Sequence, residues 1–143
     1  MIHNCQYIST DYPLKQFRIS EIPLNICKTI EKLSCEAEAL VRGGLCYVLY
    51  THDDNYVLKD LDMIAKQTLQ DKLINILQAT AAEIYINHNH FNNPVITAFW
   101  PCQKLFYKLD ILLCCNMPEK AIILWNNQEL RSSREASPRS GNI

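Results

Sequence analysis

Apolar residues recur at helical spacing in some stretches of the chain and at strand spacing in others. The helical spacing predicts amphipathic helices over residues 22–38 and 66–81 and a shorter helix over 45–52. Short apolar runs bounded by turn residues predict strands, at residues 39–42, 56–63, 83–88, 95–100, 105–113 and 120–125. Helices are mixed with strands in the first half of the chain, and strands dominate the second half. The pattern therefore predicts an α+β fold.

The second half of the chain has strong turn chemistry in the segment FNNP, residues 91–94. This segment predicts a β-hairpin that joins the strands at 83–88 and 95–100. The last residues of the chain are polar and lack any period, which predicts a disordered tail. We therefore expect one domain over residues 1–130 and a tail over 131–143.

An acidic pair interrupts an apolar run at Asp60-Leu61-Asp62. Because alternate side chains of a strand lie on the same face, Asp60 and Asp62 are expected to direct both carboxylates to one place while Leu61 faces the core. Two converging carboxylates suit a divalent metal ion. The alternatives are a pair of surface acids on an edge strand, or an acid that caps the next turn. The flanking residues favour a largely buried strand because they are apolar: Val57, Leu58, Met63 and Ile64.

Two glycines, Gly43 and Gly44, follow a short apolar segment and precede the helix predicted over residues 45–52. Glycine allows a sharp turn and a close approach of the backbone to a ligand, and the helix that follows offers amide N–H groups to an anion. The pair therefore predicts a phosphate-binding turn. The alternative is an ordinary left-handed turn between a strand and a helix.

A third acidic residue, Asp110, lies alone inside the apolar run 105–115. An isolated carboxylate is costly to bury, so Asp110 is expected to have a partner, which is either a metal ion or another cation. The alternative to a metal ion is a salt bridge to a neighbour such as Lys108 or Lys59.

Composition and charge restrict the function only in part. The chain has 143 residues, 48% apolar and 20% charged, which suits one globular domain. A formal net charge of −1 gives no general basic field for non-specific nucleic-acid binding, although a local basic patch remains open. The sequence has no apolar stretch near the length that spans a bilayer and no signal-peptide pattern at its start, which predicts a cytoplasmic protein without membrane contact.

Cysteine usage agrees with a reducing compartment. The seven cysteines are odd in number and show no CxxC spacing. Several fall on predicted core faces, where a reduced thiol acts as a small apolar group. We therefore expect neither a zinc site nor a disulfide framework.

The glycine pair, the acidic pair and the single acid occur along the chain in an order that resembles a known family. A Gly-Gly pair, then a strand with two alternate carboxylates, then a single carboxylate on a later strand is the pattern of the DNA polymerase β-like nucleotidyltransferase superfamily. The stretches VRGGL and KDLDM look most like the AbiEii/AbiGii-type nucleotidyltransferases, whose toxin members belong to abortive-infection and toxin–antitoxin systems. The resemblance covers roughly residues 22–115, which is the catalytic core only.

This resemblance implies a nucleotidyltransferase fold, in which a mixed β-sheet is backed by two or three helices. It also implies transfer of a nucleoside monophosphate from an NTP to a hydroxyl acceptor on RNA, a small molecule or a protein. Two Mg²⁺ ions would be bound with the NTP, bridged by Asp60 and Asp62. Asp110 would complete the catalytic ion's shell and help deprotonate the acceptor. Gly43 and Gly44 would hold the phosphates.

The chain differs from the family pattern at two positions. The family has a small hydroxyl residue at or near the position after the second glycine, where this chain has Leu45. The family also has an arginine a few positions before the first acid, whereas residues 56–59 contain none. Arg42 and Lys59 are close enough in sequence to substitute for it in nucleotide binding.

Family members of this type continue into a helical C-terminal region that shapes the acceptor and nucleotide sites. The leading interpretation is therefore an enzyme whose site is completed by a protein partner or a second copy. A different interpretation is a catalytically silent binding module that keeps the sheet and the glycines for contacts with another protein. A nuclease-like metal hydrolase is a third, and it is weakened because no general base accompanies the carboxylates.

Overall fold

The structure is a computed structural model that describes residues 2–5, 12–81, 83–90 and 93–133. Within these ranges the chain forms eight strands and three α-helices, besides two short 3₁₀ helices. In chain order the elements are β1 (Ile2–Cys5), α1 (Leu24–Ala37), β2 (Leu40–Arg42), α2 (Gly43–Thr51), β3 (Leu61–Lys66), α3 (Gln70–Gln78), β4 (Glu83–His90), β5 (Asn93–Cys102), β6 (Leu105–Cys114), β7 (Lys120–Trp125) and β8 (Gln128–Ser133).

All eight described strands belong to one mixed sheet in the order β1-β4-β5-β6-β3-β2-β8-β7. Three of the pairs are parallel, namely β1 with β4, β3 with β6 and β2 with β8, and the others are antiparallel. The α+β class predicted from the apolar pattern is therefore confirmed. The parallel pairing of β3 with β6 matters most for function, because these are the strands expected to carry the acids.

The three helices pack on one face of the sheet and build the core with it. Helix α1 contacts α3 and β8, α2 contacts β2, β3 and β7, and α3 contacts β4. Alternate residues of the central strands point to this face and join the apolar cluster, among them Val41, Leu61, Met63, Ile96, Leu109 and Ile111. Residues between them, such as Asp62 and Asp110, consequently lie on the opposite face.

The strand predicted over residues 56–63 begins later than expected. Strand β3 starts at Leu61 and continues to Lys66. Residues 56–60 do not join the sheet ladder, because Leu58 pairs with Phe17 instead: each donates its backbone N–H to the other's carbonyl, at 2.7 and 3.0 Å. Tyr56 is 40% exposed, which agrees with a loop rather than a buried strand.

The predicted tail contains part of a strand. Strand β8 continues to Ser133, three residues past the boundary expected at 130. The backbone N–H of Arg131 donates to Ser34 Oγ at 2.8 Å, and Ser132 pairs with Val41 of β2. Ser132 and Ser133 are buried. Polar composition was a poor guide here, because buried serines satisfy their hydrogen bonds inside the sheet; the rest of the predicted tail lies outside the described residues.

The predicted hairpin is confirmed by the antiparallel pairing of β4 with β5, although the first two residues of its turn lie outside the described ranges. Residues 120–125 form an edge strand, β7, with the bounds that the sequence predicts. In the part of the chain that the structure describes, every helix is too short or too polar to cross a membrane.

Candidate metal centre

Three carboxylates meet on the face of the sheet opposite the helices. Asp62 is the second residue of β3 and lies directly opposite Asp110 on the parallel strand β6. Asp60 immediately precedes β3. One carboxylate oxygen from each of these residues lies within 4.8 Å of the others, and each residue is partly buried. The convergence expected from the alternate spacing and the later strand is therefore observed.

The crowding of these acids raises the pKa values of Asp60 and Asp62. Burial, followed by the negative charges of Asp60 and Asp110, raises the pKa of Asp62 from its ordinary value of 3.8 to about 7. Burial also raises the pKa of Asp60, and the charge of Asp110 adds to that rise. A hydrogen bond from Asp62 to Asp60 offsets part of the rise. Both shifts favour the protonated forms, as expected of crowded and partly buried acids.

The glycine turn lies directly against the acids. Helix α2 begins at Gly43, with Arg42 at its N-cap, rather than after both glycines as the sequence predicts. Gly43 has a left-handed φ of +63°, and a Cβ at this position would lie 2.9 Å from Asp62 Oδ2. Gly44 lies against Leu58 in the loop before β3, where an added Cβ would be 2.7 Å from Leu58 Cδ2. Gly43 therefore permits the carboxylate and the start of the helix to approach each other.

The two predicted basic residues occupy different environments. Arg42 is the register partner of Asp62 across β2 and β3, and its positive charge lowers the pKa of Asp62 in part. Lys59 is exposed and acts only as a weak favourable charge on Asp60. Of the two, Arg42 is therefore the residue placed to meet a ligand beside the acids.

One site residue, Thr97, was missed by the sequence interpretation. It is 1% exposed and donates from Oγ1 to Asp110 Oδ1 at 2.6 Å. Its register partner on β6 is Asp110 itself. The signal was present in the sequence, because Thr97 is the single polar residue in the apolar stretch VITAFW, much as Asp110 is in its own strand. The salt bridge that the sequence offered as an alternative partner for Asp110 is also present, to Lys108 at 3.2 Å.

These residues form one wall of a cleft of about 490 Å³ on the open face of the sheet, which we call the sheet cleft. The sheet cleft combines acids, two cations and an apolar side, and it is lined by Arg42, Gly43, Asp62, Met63, Asn87, Val95, Thr97, Lys108, Asp110 and Leu112. Four of its residues come from one row across the sheet, where Arg42, Asp62, Asp110 and Thr97 are successive register partners on β2, β3, β6 and β5.

This arrangement can hold a divalent cation and an anion side by side. Carboxylate oxygens are the ligands that Mg²⁺ and Mn²⁺ prefer, while a helix start and a guanidinium suit a phosphate. No family model matches this chain, and no curated protein or solved structure is significantly similar to it. The geometry and chemistry of the sheet cleft are therefore the basis for proposing a function.

Proposed function

We propose that this chain is a metal-dependent nucleotidyltransferase domain, which transfers a nucleoside monophosphate from an NTP to a hydroxyl acceptor. One observation carries the proposal: three carboxylates, from β3, from β6 and from the residue before β3, converge within 4.8 Å beside the glycine turn at the start of α2. Metal ligands and a phosphate-binding element are thus adjacent, as phosphoryl transfer requires. The order of these elements along the chain is the order that the resemblance implies.

The donor set fits Mg²⁺ or a similar hard cation. Asp60, Asp62 and Asp110 each offer an oxygen, and burial together with the neighbouring negative charges raises the pKa of Asp62, which a bound cation would offset. A divalent cation bound there would polarise the phosphoryl oxygens and lower the pKa of a coordinated hydroxyl. Loss of the proton from Asp62 would accompany its binding, because a metal ligand must be ionised.

The residues of this chain would divide the work as follows. Asp60, Asp62 and Asp110 would hold the cations, and Asp110, oriented by the hydrogen bond from Thr97, would also help to deprotonate the acceptor hydroxyl. Gly43 brings the first N–H groups of α2 close to the acids, where they meet the phosphates. Arg42, at the N-cap of that helix, adds a positive charge beside Asp62.

The substrate classes follow from the same resemblance. We propose an NTP as donor and RNA, a small molecule or a protein as acceptor, and a cytoplasmic setting of the toxin–antitoxin kind. The sheet cleft is open, so a protein partner or a second copy of the chain would complete the acceptor side. Free thiols at Cys27, Cys46 and Cys114 agree with a reducing compartment.

A thermal-shift experiment tests the proposal. Mg²⁺ together with the preferred NTP should raise the melting temperature, because a ligand that binds the native state stabilises it by about 2.7 kcal/mol at a hundred times its Kd. Asp62→Asn should abolish this rise, and each NTP without Mg²⁺ is the control. A wild-type protein that shows no Mg²⁺-dependent shift with any of the four NTPs at millimolar concentration would contradict the proposal.

A second candidate function is a catalytically silent module with the same fold. One observation favours it: Leu45, which stands where the resemblance expects a hydroxyl residue, is fully buried and offers nothing to a phosphate. The same experiment separates the two functions. If the chain is a silent module, Mg²⁺ with an NTP should not raise the melting temperature. Asp62→Asn should not change that result.

A further inference from the structure

A lysine, Lys108, lies beside the acidic cluster. Lys108 Nζ lies 3.2 Å from Asp110 Oδ2, and both side chains are about three-quarters buried, at 25% and 23% exposure. Its charge also lowers the pKa of Asp60 and of Asp62. Lys108 thus interacts with all three candidate metal ligands, whereas Lys59 is exposed and affects Asp60 alone among them.

The strand geometry places Lys108 on the acidic side of the sheet. Lys108 and Asp110 alternate along β6, so their side chains share a face. Leu61 and Leu109 are register partners on β3 and β6. The residues that precede them, Asp60 and Lys108, therefore lie side by side just before the ladder between these strands. The lysine therefore lies on the same face of the sheet as the carboxylates.

Asp110 is also held from its other side. Its Oδ1 accepts the hydrogen bond from Thr97, while its Oδ2 carries the lysine. Since Thr97 is buried and its hydroxyl already donates at 2.6 Å, Oδ2 is the oxygen through which Asp110 would ligate a metal ion. A metal ion and Lys108 then compete for the same atom.

We propose that Lys108 is an exchangeable cation, which pairs with Asp110 in the metal-free protein and is displaced into the sheet cleft when a divalent ion binds. The inference rests on the proposed function, because it assumes that the three acids bind metal. The displaced ammonium stays on the cleft wall, where Arg42 and the start of α2 also lie. Metal binding therefore exposes a positive charge to an anionic substrate, and Lys108 becomes a specificity residue for phosphate.

The exchange predicts opposite effects of one substitution on two ligands. Lys108→Met keeps the length of the side chain and removes the competing charge, so it should tighten Mn²⁺ binding by about five- to ten-fold. At saturating Mn²⁺, the same substitution should weaken binding of inorganic triphosphate by a similar factor, because a phosphate contact is lost. Both affinities are measured by isothermal titration calorimetry.

Lys104→Met is the matched control. It removes the same charge from an exposed position in the turn before β6, four residues from Lys108. It should leave both affinities within about two-fold of wild type, because an exposed charge away from the acids is screened by salt. Equal effects of the two substitutions would overturn the proposal, since they would show a general field rather than an exchange at Asp110.

A second measurement uses the wild-type chain and does not depend on the folding of a variant. Reductive methylation, read by mass spectrometry, should modify Lys108 faster when Mn²⁺ is present, while the rate at Lys104 stays constant. An unchanged rate at Lys108 under saturating Mn²⁺ would overturn the proposal.

The outcomes also separate this inference from the proposed function. Mn²⁺ binding that needs Asp62 but is the same in wild type and Lys108→Met overturns the exchange and leaves the metal site intact. Mn²⁺ binding that is absent in wild type, or unchanged by Asp62→Asn, overturns the metal site and the exchange together.

Discussion

Asp62 and Asp110 are register partners on two adjacent parallel strands, so two acids from distant parts of the sequence lie side by side on one face of the sheet. The pairing places two negative charges side by side, and the consequences are measurable.

The pH dependence of stability should report this crowding. Unfolded Asp62 loses its proton near pH 3.8, whereas in the folded protein its pKa is about 7. Between these values the folded state binds more protons than the unfolded state, so the free energy of unfolding falls as the pH rises from about 4 to about 7. Asp62→Asn removes this contribution and should show a smaller fall in urea-denaturation experiments across the same window. A fall of equal size in the variant would contradict the assignment.

Saturating Mn²⁺ offers an internal check on that titration. A bound cation favours the ionised carboxylate, so it should lower the pKa of Asp62 and reduce the loss of stability between pH about 4 and about 7. The apparent affinity for Mn²⁺ should in turn rise with pH up to about 7, because a proton must leave Asp62 on binding. Affinity that is independent of pH would show that Asp62 is not a ligand.

Gly43→Ala should damage the site more than Gly44→Ala. The new methyl group at position 43 would lie 2.9 Å from Asp62 Oδ2 and would also require a left-handed φ, so the carboxylate must move. We expect loss of Mn²⁺ binding and a stability decrease on the order of 1–2 kcal/mol. Gly44→Ala is the matched control, because its methyl group meets Leu58 and not the acids. It should lower the melting temperature while Mn²⁺ still binds.

Thr97→Val tests whether the buried hydroxyl orients Asp110. The substitution preserves volume and removes the 2.6 Å hydrogen bond to Oδ1, so we expect destabilisation of roughly 1–3 kcal/mol and weaker Mn²⁺ binding. Thr97→Ser keeps the donor and should retain most of the metal affinity. If both variants bind Mn²⁺ alike, the hydroxyl has no positioning role.

The end of β8 is open to a direct test by truncation. A chain that ends at Leu130 loses the hydrogen bond from Arg131 to Ser34 and the pairing of Ser132 with Val41. It should be less stable than a chain that ends at Ser133 by about 2 kcal/mol or more, since each buried polar group left unpaired costs roughly 1–3 kcal/mol. Equal melting temperatures for the two chains would show that residues 131–133 add no stability, and would favour the domain boundary at residue 130 that polar composition suggested.

Much of the fold was predictable because it depends on local periodicity. The helical spacing in α1 is visible in the sequence, and this helix forms within two residues of its expected bounds. The alternation around Leu61 is visible too, and it places Leu61 and Asp62 on opposite faces as expected. The start of β3 was not predictable, because it depends on the pairing of Leu58 with Phe17, a residue that is distant in the sequence. Strand β8 was missed, and a tail was expected from residue 131, because buried serines are polar in composition but satisfied by the sheet.

The candidate site shows the same division. The carboxylates stand out because a charge within an apolar run needs a partner, and Asp110 was found in this way. Thr97 carries no charge and resembles any β-branched strand residue, so only its register partner reveals its role. Arg42 and Lys59 looked equivalent in sequence. The structure distinguishes them because Arg42 is fixed opposite Asp62 by a strand ladder and Lys59 belongs to an exposed loop.

The insertion of β6 between β3 and β5 also bears on the order of folding. Strand β3 is followed in the chain by β4 and β5. In the sheet, however, its neighbour on the side away from β2 is β6. Non-local parallel pairing of this kind forms late, because the closure entropy of the intervening chain must be overcome first. The acid pair and Asp110 therefore come together only when β3 and β6 pair. A nascent chain that has not yet reached β6 cannot assemble the three acids, so the chemistry proposed at them begins only after β6 has joined the sheet.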